Sequence, residues 1–340
     1  MAIDTELLGR DSIVNDIAAK IEAGGKVAFL LEHHAVDPQA LALASKISVK
    51  TRCRLFTGTF PARIDGGPGN PEVERLPYFP EQILQTLHGL DHLVLVGGEI
   101  PASFFAYQGI PGQLVPEGCQ VSRLTRVEED AIDALTRLAE RLGAQNEAVK
   151  TFERRETPRP TGELESKTII QAVAATMPEG LIVATDSGGG NAAHGFCQNS
   201  AANSWLALTG GAIGQGGPVA TGAALACPDR PVLAMLGDGG AAYTNQSFWT
   251  QARENLNVTT LIFANHSYNI LNVEYARLGV TEVGEIAASL FDIGKPELDW
   301  VAMAKGFGVP GAHAKDAEDL CRLLEESYRT PGPFVIQARA

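Results

Sequence analysis

MLGDGGAA, residues 235–242, places one carboxylate, Asp238, among three glycines at the end of an apolar run. An unpaired charge buried at a strand tip is costly, so the acid is either part of an open turn or matched by a partner. The residues around it favour the partner. RPVLAML (230–236) reads as a strand, NQSFWTQARENL (245–256) as a helix and NVTTLIFAN (257–265) as a second strand. A βαβ unit of about 30 residues brings two parallel strand ends side by side. Asp238 stands at the first end and Asn265 at the second. A carboxylate oxygen and an amide oxygen on one sheet edge suit magnesium, which takes oxygen ligands and completes its octahedron with substrate phosphate.

The same alternation extends in both directions. Upstream within this half, SKTIIQAVAATM (166–177) reads as a helix and LIVATDSGGG (181–190) as a strand running into glycines. PVATGAALAC (218–227) reads as a helix opening with proline. Downstream, DWVAMAKGFG and DAEDLCRLLEESY read as helices and PFVIQAR as a strand. The first half repeats the pattern: strands at KVAFLL (26–31), HLVLVGG (92–98) and CQVSRL (119–124), and helices at PQALALASKI (38–47), EQILQTLHGL (81–90) and EEDAIDALTRLAERLG (128–143). Strands alternating with helices predict parallel sheets covered on both faces. The polar stretch NEAVKTFERRETPRPTGELESK, with two prolines, reads as a linker. The expectation is therefore an α/β chain of two doubly wound, Rossmann-like domains, residues 1–145 and 166–340, joined by a linker at 146–165.

Bulk properties narrow the function. The 340 residues carry a formal charge of −13, with 45% apolar and 20% charged residues. That is an ordinary globular composition without the basic face a nucleic-acid binder needs. The five cysteines (Cys53, Cys119, Cys197, Cys227, Cys321) form no C-x-x-C pair, which argues against zinc and for reduced thiols in the cytoplasm. MAIDTELLGRDSIV lacks the apolar region of a signal peptide, and no apolar run approaches membrane-spanning length.

Three glycine clusters, at 188–190, 210–217 and 237–240, fall in the second half. One alone reads as a strand-to-helix turn; three in one domain point to a phosphate site at the carboxyl edge of a sheet. The familiar nucleotide motifs do not fit. G-x-G-x-x-G from Gly214 would need glycine where Val219 stands, and GGKVA lacks the hydroxyl and upstream glycine of a P-loop.

GDGGAAYTNQSFWTQA with IFANHSYNIL, a GDG followed about two dozen residues later by Asn, resembles the motif of the thiamine-diphosphate-dependent 2-oxo acid decarboxylases and carboligases. It is most similar to acetolactate synthase large subunits and benzoylformate decarboxylase. GLDHLVLVGGEIPASFFAYQGIPGQLVPEGCQVSRL (89–124) resembles their middle domain, so the likeness covers nearly the whole chain. It implies a thiamine-diphosphate-binding fold for the second domain and decarboxylation or carboligation of 2-oxo acids. It further implies that Asp238, Asn265 and the Ser267 carbonyl hold Mg²⁺. The diphosphate would lie against the N–H groups of Gly239 and Gly240 and the turn Gly188, Gly189, Gly190, Asn191. Ile213 would be the apolar wedge that bends the cofactor into a V, and the Gly211 carbonyl would accept a hydrogen bond from its amino group. Tyr268, Asn269 and Ile270 would line the cofactor edge. Gly211 and Ile213 are the candidates for catalysis within the chain.

The sequence departs from the family in three places. Ala264 precedes the ligand Asn265 where Asn-Asn is usual, and Ser247 stands where many members carry Glu. The chain also opens near the middle domain, so the pyrimidine-binding domain and its activating glutamate are expected to be absent. The resemblance accordingly implies a homo-oligomer or a partner chain that supplies that domain, with a truncated or non-catalytic cofactor-binding subunit as the rival reading. Glu32, in FLLEHHAV, reads as a helix start or solvent cap, and His33–His34 as a polar strand end. Nothing in residues 1–141 assigns FAD, which some acetolactate synthases bind. His194 lies near the glycine turn, with substrate-facing and buried positions both open, and Trp249 reads as core.

Overall fold

Val27–Leu31, apolar and buried along its whole length, forms β1 at the centre of the first sheet. The computed structural model describes residues 11–339; the leader reading of residues 1–10 lies outside them. β2 (Arg54–Thr57) pairs with β1 on one side and β5 (His92–Val96) on the other, both parallel. β4 (Glu74–Arg75) and β6 (Gln120–Thr125) complete the order β4-β2-β1-β5-β6. Continuous rather than alternating burial in β1 and β5 marks a sheet covered on both faces. The covering helices include Pro38–Thr51, with proline in its first turn, and Ala131–Arg141, capped by the Asp130 carboxylate on the Ile132 and Asp133 N–H groups.

The chain divides into two compact units, residues 1–64 with 69–152 and residues 65–68 with 153–340. Of the stretch expected to link the domains, the part up to Phe152 is tied to the first unit. There Phe152 N–H donates to the Asn70 carbonyl at 3.0 Å and Lys150 N–H to Ser45 Oγ at 2.9 Å.

The second unit carries a seven-stranded sheet in the order β11-β12-β10-β9-β7-β8-β3. Its strands are β7 (Leu181–Thr185), β8 (Asn203–Leu206), β9 (Val232–Gly237), β10 (Val258–Ala264), β11 (Gly311–Ala314) and β12 (Phe334–Arg339). β3 (Ile64–Gly66) joins at the edge, where Ser204 Oγ donates to the Asp65 carboxylate at 2.6 Å. The pairs β7–β8, β7–β9, β9–β10, β10–β12 and β11–β12 are parallel. Both units are thus doubly wound α/β layers.

Strand order locates a site before any side chain is considered. From β7 the chain passes outward to β8, then returns to place β9 on the opposite flank of β7. Open parallel sheets bind ligands outside the carboxyl ends of the strands at such a reversal. Here that crevice lies beyond Thr185 and Gly237.

Two expectations change in detail. The helix expected to open at Pro218 begins at Gly216; proline is tolerated there because N–H groups of a first turn have no intrahelical partner. Trp249 is not core. It is 50% exposed beneath the Arg253 guanidinium, while Phe248 and Gln251 face inward on the same short helix, Ser247–Arg253.

Candidate functional site

β9 delivers Asp238 to the crevice as the first residue of a short helix, Asp238–Ala241. The carboxylate is 3% exposed. Its Oδ1 accepts from the Gly239 N–H at 2.8 Å and its Oδ2 from the His266 N–H at 2.6 Å. Burial pushes the carboxyl above the usual aspartate range, against the opposing pull of the His266 and Gly239 N–H groups. Register places Gly237 opposite Phe263, so Asp238 and Asn265 lie one and two residues past paired positions on adjacent strands. The two strand ends meet, as the βαβ reading requires.

The loop after β10 is built to hold its shape. Asn265 Oδ1 accepts from the Ser267 N–H at 3.0 Å, and His266 adopts φ 54°, a left-handed turn. Ser267 bridges to Asp292, Tyr268 N–H donates to the Phe291 carbonyl at 2.9 Å, and Ile293 N–H donates to the His266 carbonyl at 3.0 Å. Tyr268 packs on Gly239, where a Cβ would lie 2.6 Å from its Cδ1. Asn269 and Ile270 open the next helix, Asn269–Arg277, and are exposed.

On the other side of the crevice, Ser187 caps the helix Gly188–Cys197 by accepting from the Gly190 N–H at 2.9 Å. The three glycines have different causes. A Cβ on Gly190 would strike Thr185 Oγ1, and one on Gly189 would lie 2.9 Å from the Phe263 ring. Packing demands both. Nothing stands within 4 Å of a Cβ on Gly188, so open space begins at the helix N-terminus, where N–H groups favour an anion. Asn191 continues the turn, its N–H donating to the Ser187 carbonyl at 2.9 Å.

Gly211 and Ile213 lie on the loop between β8 and the helix Gly216–Ala226. Gly211 has φ +67° and its carbonyl accepts the Ile213 N–H at 3.0 Å. Ile213 is 50% exposed, a large apolar side chain presented outward. His194 takes the buried alternative: it is 2% exposed, edge-on to Trp205 with ring centroids 5.4 Å apart.

Sequence reasoning missed Asp186 and Thr244. Asp186 follows β7 as Asp238 follows β9, an acid between an apolar strand and glycines; the reasoning applied to MLGDGGAA would have found it in LIVATDSGGG. It is 7% exposed, and its Oδ2 accepts from the Gly214 and Gly216 N–H groups at 3.0 and 3.1 Å. Thr244 had no comparable signal, because only the folded loop brings it to the Gly214 carbonyl.

The donors available to a cation are oxygens: a carboxylate, an amide and backbone carbonyls. Among the described residues no group of three or more His, Cys, Asp or Glu side chains is arranged to hold a metal. This set suits a hard cation such as Mg²⁺, which leaves positions for phosphate and water, and the open N-terminus at Gly188 suits a diphosphate. The residues present fit the pair.

Comparison with known proteins agrees. Residues 187–338 match the family "Thiamine pyrophosphate enzyme, C-terminal TPP binding domain". The chain is 40% identical over 325 residues to a protein of Mycobacterium tuberculosis named "Putative acetolactate synthase large subunit IlvX", covering 95% of this chain and 63% of that one. It is 29% identical over 312 residues to benzoylformate decarboxylase of Pseudomonas aeruginosa, covering 86% and 54%. The structure superposes on a Rhodococcus jostii thiamine diphosphate-dependent 4-hydroxybenzoylformate decarboxylase with a TM-score of 0.78 at 22% identity, over 100% of this chain and 66% of that one. The chain thus spans a little over half to two thirds of these relatives' lengths. Residues 187–338 are thus a C-terminal domain of the thiamine-pyrophosphate enzyme family, in a chain similar to an acetolactate synthase-like large subunit and to benzoylformate decarboxylase.

Proposed function

We propose that the chain is the catalytic-domain part of a Mg²⁺- and thiamine-diphosphate-dependent enzyme acting on 2-oxo acids, acetolactate synthase-like, by decarboxylation, carboligation or both. The observation that carries the reading is the His266–Asp238 bond, which draws the Asn265–Ser267 loop onto the carboxylate beside the open helix end at Gly188. In this reading Asp238, Asn265 and the Ser267 carbonyl hold Mg²⁺. The N-terminus at Gly188–Asn191 and the turn at Gly239–Gly240 receive the diphosphate. Bound thiamine diphosphate supplies the carbon nucleophile and the electron sink for loss of CO₂.

The chain's own residues bind and orient. Asp238 acts ionised, and a cation beside it offsets the burial that otherwise raises its pKa. Ile213 presents an apolar surface to the cofactor rings, and the Gly211 carbonyl is an acceptor next to it. Tyr268, Asn269 and Ile270 border the same edge.

The proposal includes the domain assignment, with a middle domain up to residue 145 and a cofactor domain from residue 166. It also includes either self-association or a partner chain that provides a pyrimidine domain; the relatives named as large subunits support this. A cytoplasmic setting fits the five cysteines, all of them free, and no helix among the described residues is long and apolar enough to cross a membrane.

Calorimetry decides the core of the reading. Thiamine diphosphate should bind only with Mg²⁺ present, and Asp238→Ala should abolish binding. Mg²⁺-independent binding, or a variant that binds normally, would sink the metal assignment. Decarboxylation of pyruvate and benzoylformate, with and without a candidate partner chain, then tests the reaction.

A further inference from the structure

We propose that Asp186 is a positioning residue that fixes the Ile213 loop by holding the Gly214 and Gly216 N–H groups on one carboxylate oxygen. The proposal rests on the functional reading above for its purpose, though not for its geometry.

Asp186 Oδ2 accepts from Gly214 at 3.0 Å and from Gly216 at 3.1 Å. The opposite side of Gly214 is held as well, since Thr244 Oγ1 donates to its carbonyl at 2.5 Å. The backbone following Ile213 is therefore gripped at N–H and C=O together. Gly214 itself sits at φ +97°, and a Cβ there would lie 2.8 Å from Tyr243 Cβ, so no other residue fits the bend. Two further bonds brace the flanks: Gln215 Nε2 donates to the Ala207 carbonyl at 2.8 Å, and Thr209 Oγ1 donates to Gln215 Oε1 at 3.2 Å.

The other oxygen gives the reason to look for a role. Asp186 Oδ1 is buried and has no hydrogen-bond partner. It lies 3.1 Å from where a Cβ on Gly240 would stand, in the turn that begins with Asp238. A half-satisfied buried carboxylate is costly, and an apolar side chain would fill the volume without that cost. What an apolar residue could not supply is one acceptor for two amides of the loop that carries Ile213. Ile213 is half exposed, so packing alone does not set its direction. Asp186 thereby ties the end of β7 to the Ile213 loop, with its second oxygen lying against Gly240 of the Asp238 turn.

Amide hydrogen exchange on the full chain without cofactor tests this. In the unmodified protein the Gly214 and Gly216 amides should exchange about 10-fold or more slowly than unstructured glycine amides, the protection expected of hydrogen bonds to a charged acceptor. Asp186→Ala should remove that protection while amides of β9 keep theirs. Asp186→Asn retains an acceptor oxygen and should restore protection to within about 3-fold. Fast exchange at both glycines in the unmodified protein overturns the proposal. So does a folded Asp186→Ala variant with protection unchanged, or an Asp186→Asn variant as unprotected as unstructured chain. If the alanine variant loses β9 protection through unfolding, the unmodified protein and the asparagine variant still decide. A separate titration with thiamine diphosphate and Mg²⁺ should show affinity weakened in Asp186→Ala and kept in Asp186→Asn. Failure of the unmodified protein to bind would strike the functional reading and leave the exchange result standing.

Discussion

The His266 backbone N–H donates to Asp238 Oδ2 at 2.6 Å, across two adjacent strand ends that lie 28 residues apart in sequence. This one bond joins the acid to the loop that offers Asn265 and Ser267. It also makes Asp238 structural before any cation arrives. Asp238→Ala should therefore have two effects. Leaving the buried Gly239 and His266 N–H groups without their acceptor should cost about 1–3 kcal/mol, read as a lower urea midpoint. Added Mg²⁺ should raise the midpoint of the unmodified protein and leave that of the variant unmoved. A variant that Mg²⁺ still stabilises would place the cation elsewhere.

The glycine turn after β7 separates packing from binding. Gly190→Ala drives a methyl into Thr185 Oγ1, a hydroxyl already committed to the Met235 carbonyl at 3.0 Å. Overpacking of this kind costs roughly 1–3 kcal/mol. Gly188→Ala meets open space and should change stability by no more than about 0.5 kcal/mol. Its methyl would stand at the helix end expected to receive the diphosphate, so thiamine diphosphate affinity should fall. Thermal unfolding paired with calorimetry checks both variants, and a stable Gly190→Ala or an undiminished Gly188→Ala would refute the division.

Much of this was legible in the chain because it depends on local pattern. Continuous apolar runs marked β1, β5, β7, β9 and β10, and the spacing from Asp238 to Asn265 gave the adjacency of their strand ends. What was not legible depends on tertiary placement. β8 and β11 are only four residues each, too short for a periodicity, and β3 joins a sheet whose other strands lie more than 100 residues away. Glycine counting suggested ligand approach at Gly189 and Gly239, yet their close neighbours are Phe263 and Tyr268. Composition cannot distinguish a glycine that admits a ring from one that admits a phosphate.

The cysteines should divide by burial. Cys53, Cys197 and Cys321 are buried, and burial pushes the Cys197 thiol up to about 12. Cys119 and Cys227 are half-buried. Since the thiolate is the reactive form and must be reached, a maleimide on the native protein should label Cys119 and Cys227 alone. Labelling in denaturant should reach all five cysteines. Mass spectrometry of peptides reads the sites, and early modification of Cys197 in native protein would contradict the buried helix end on which it sits.

Asp186 also sets a pH dependence whose sign is fixed. Burial raises its carboxyl pKa, and the Gly216 and Gly214 N–H groups only partly oppose it. Above that raised value the folded state holds a buried charge that the unfolded chain would expose to water, so the cost to stability is fully present there. Below the ordinary aspartate value of about 3.9, both states are protonated and the cost is gone. Asp186→Asn keeps an acceptor without the charge and carries no such dependence. As pH falls through the raised value toward the ordinary one, the unmodified protein should gain stability relative to Asp186→Asn. Urea midpoints of the two proteins across that range give the test. A constant difference, or one that moves the opposite way, would mean that the Gly214 and Gly216 amides outweigh burial and hold Asp186 ionised at no net cost.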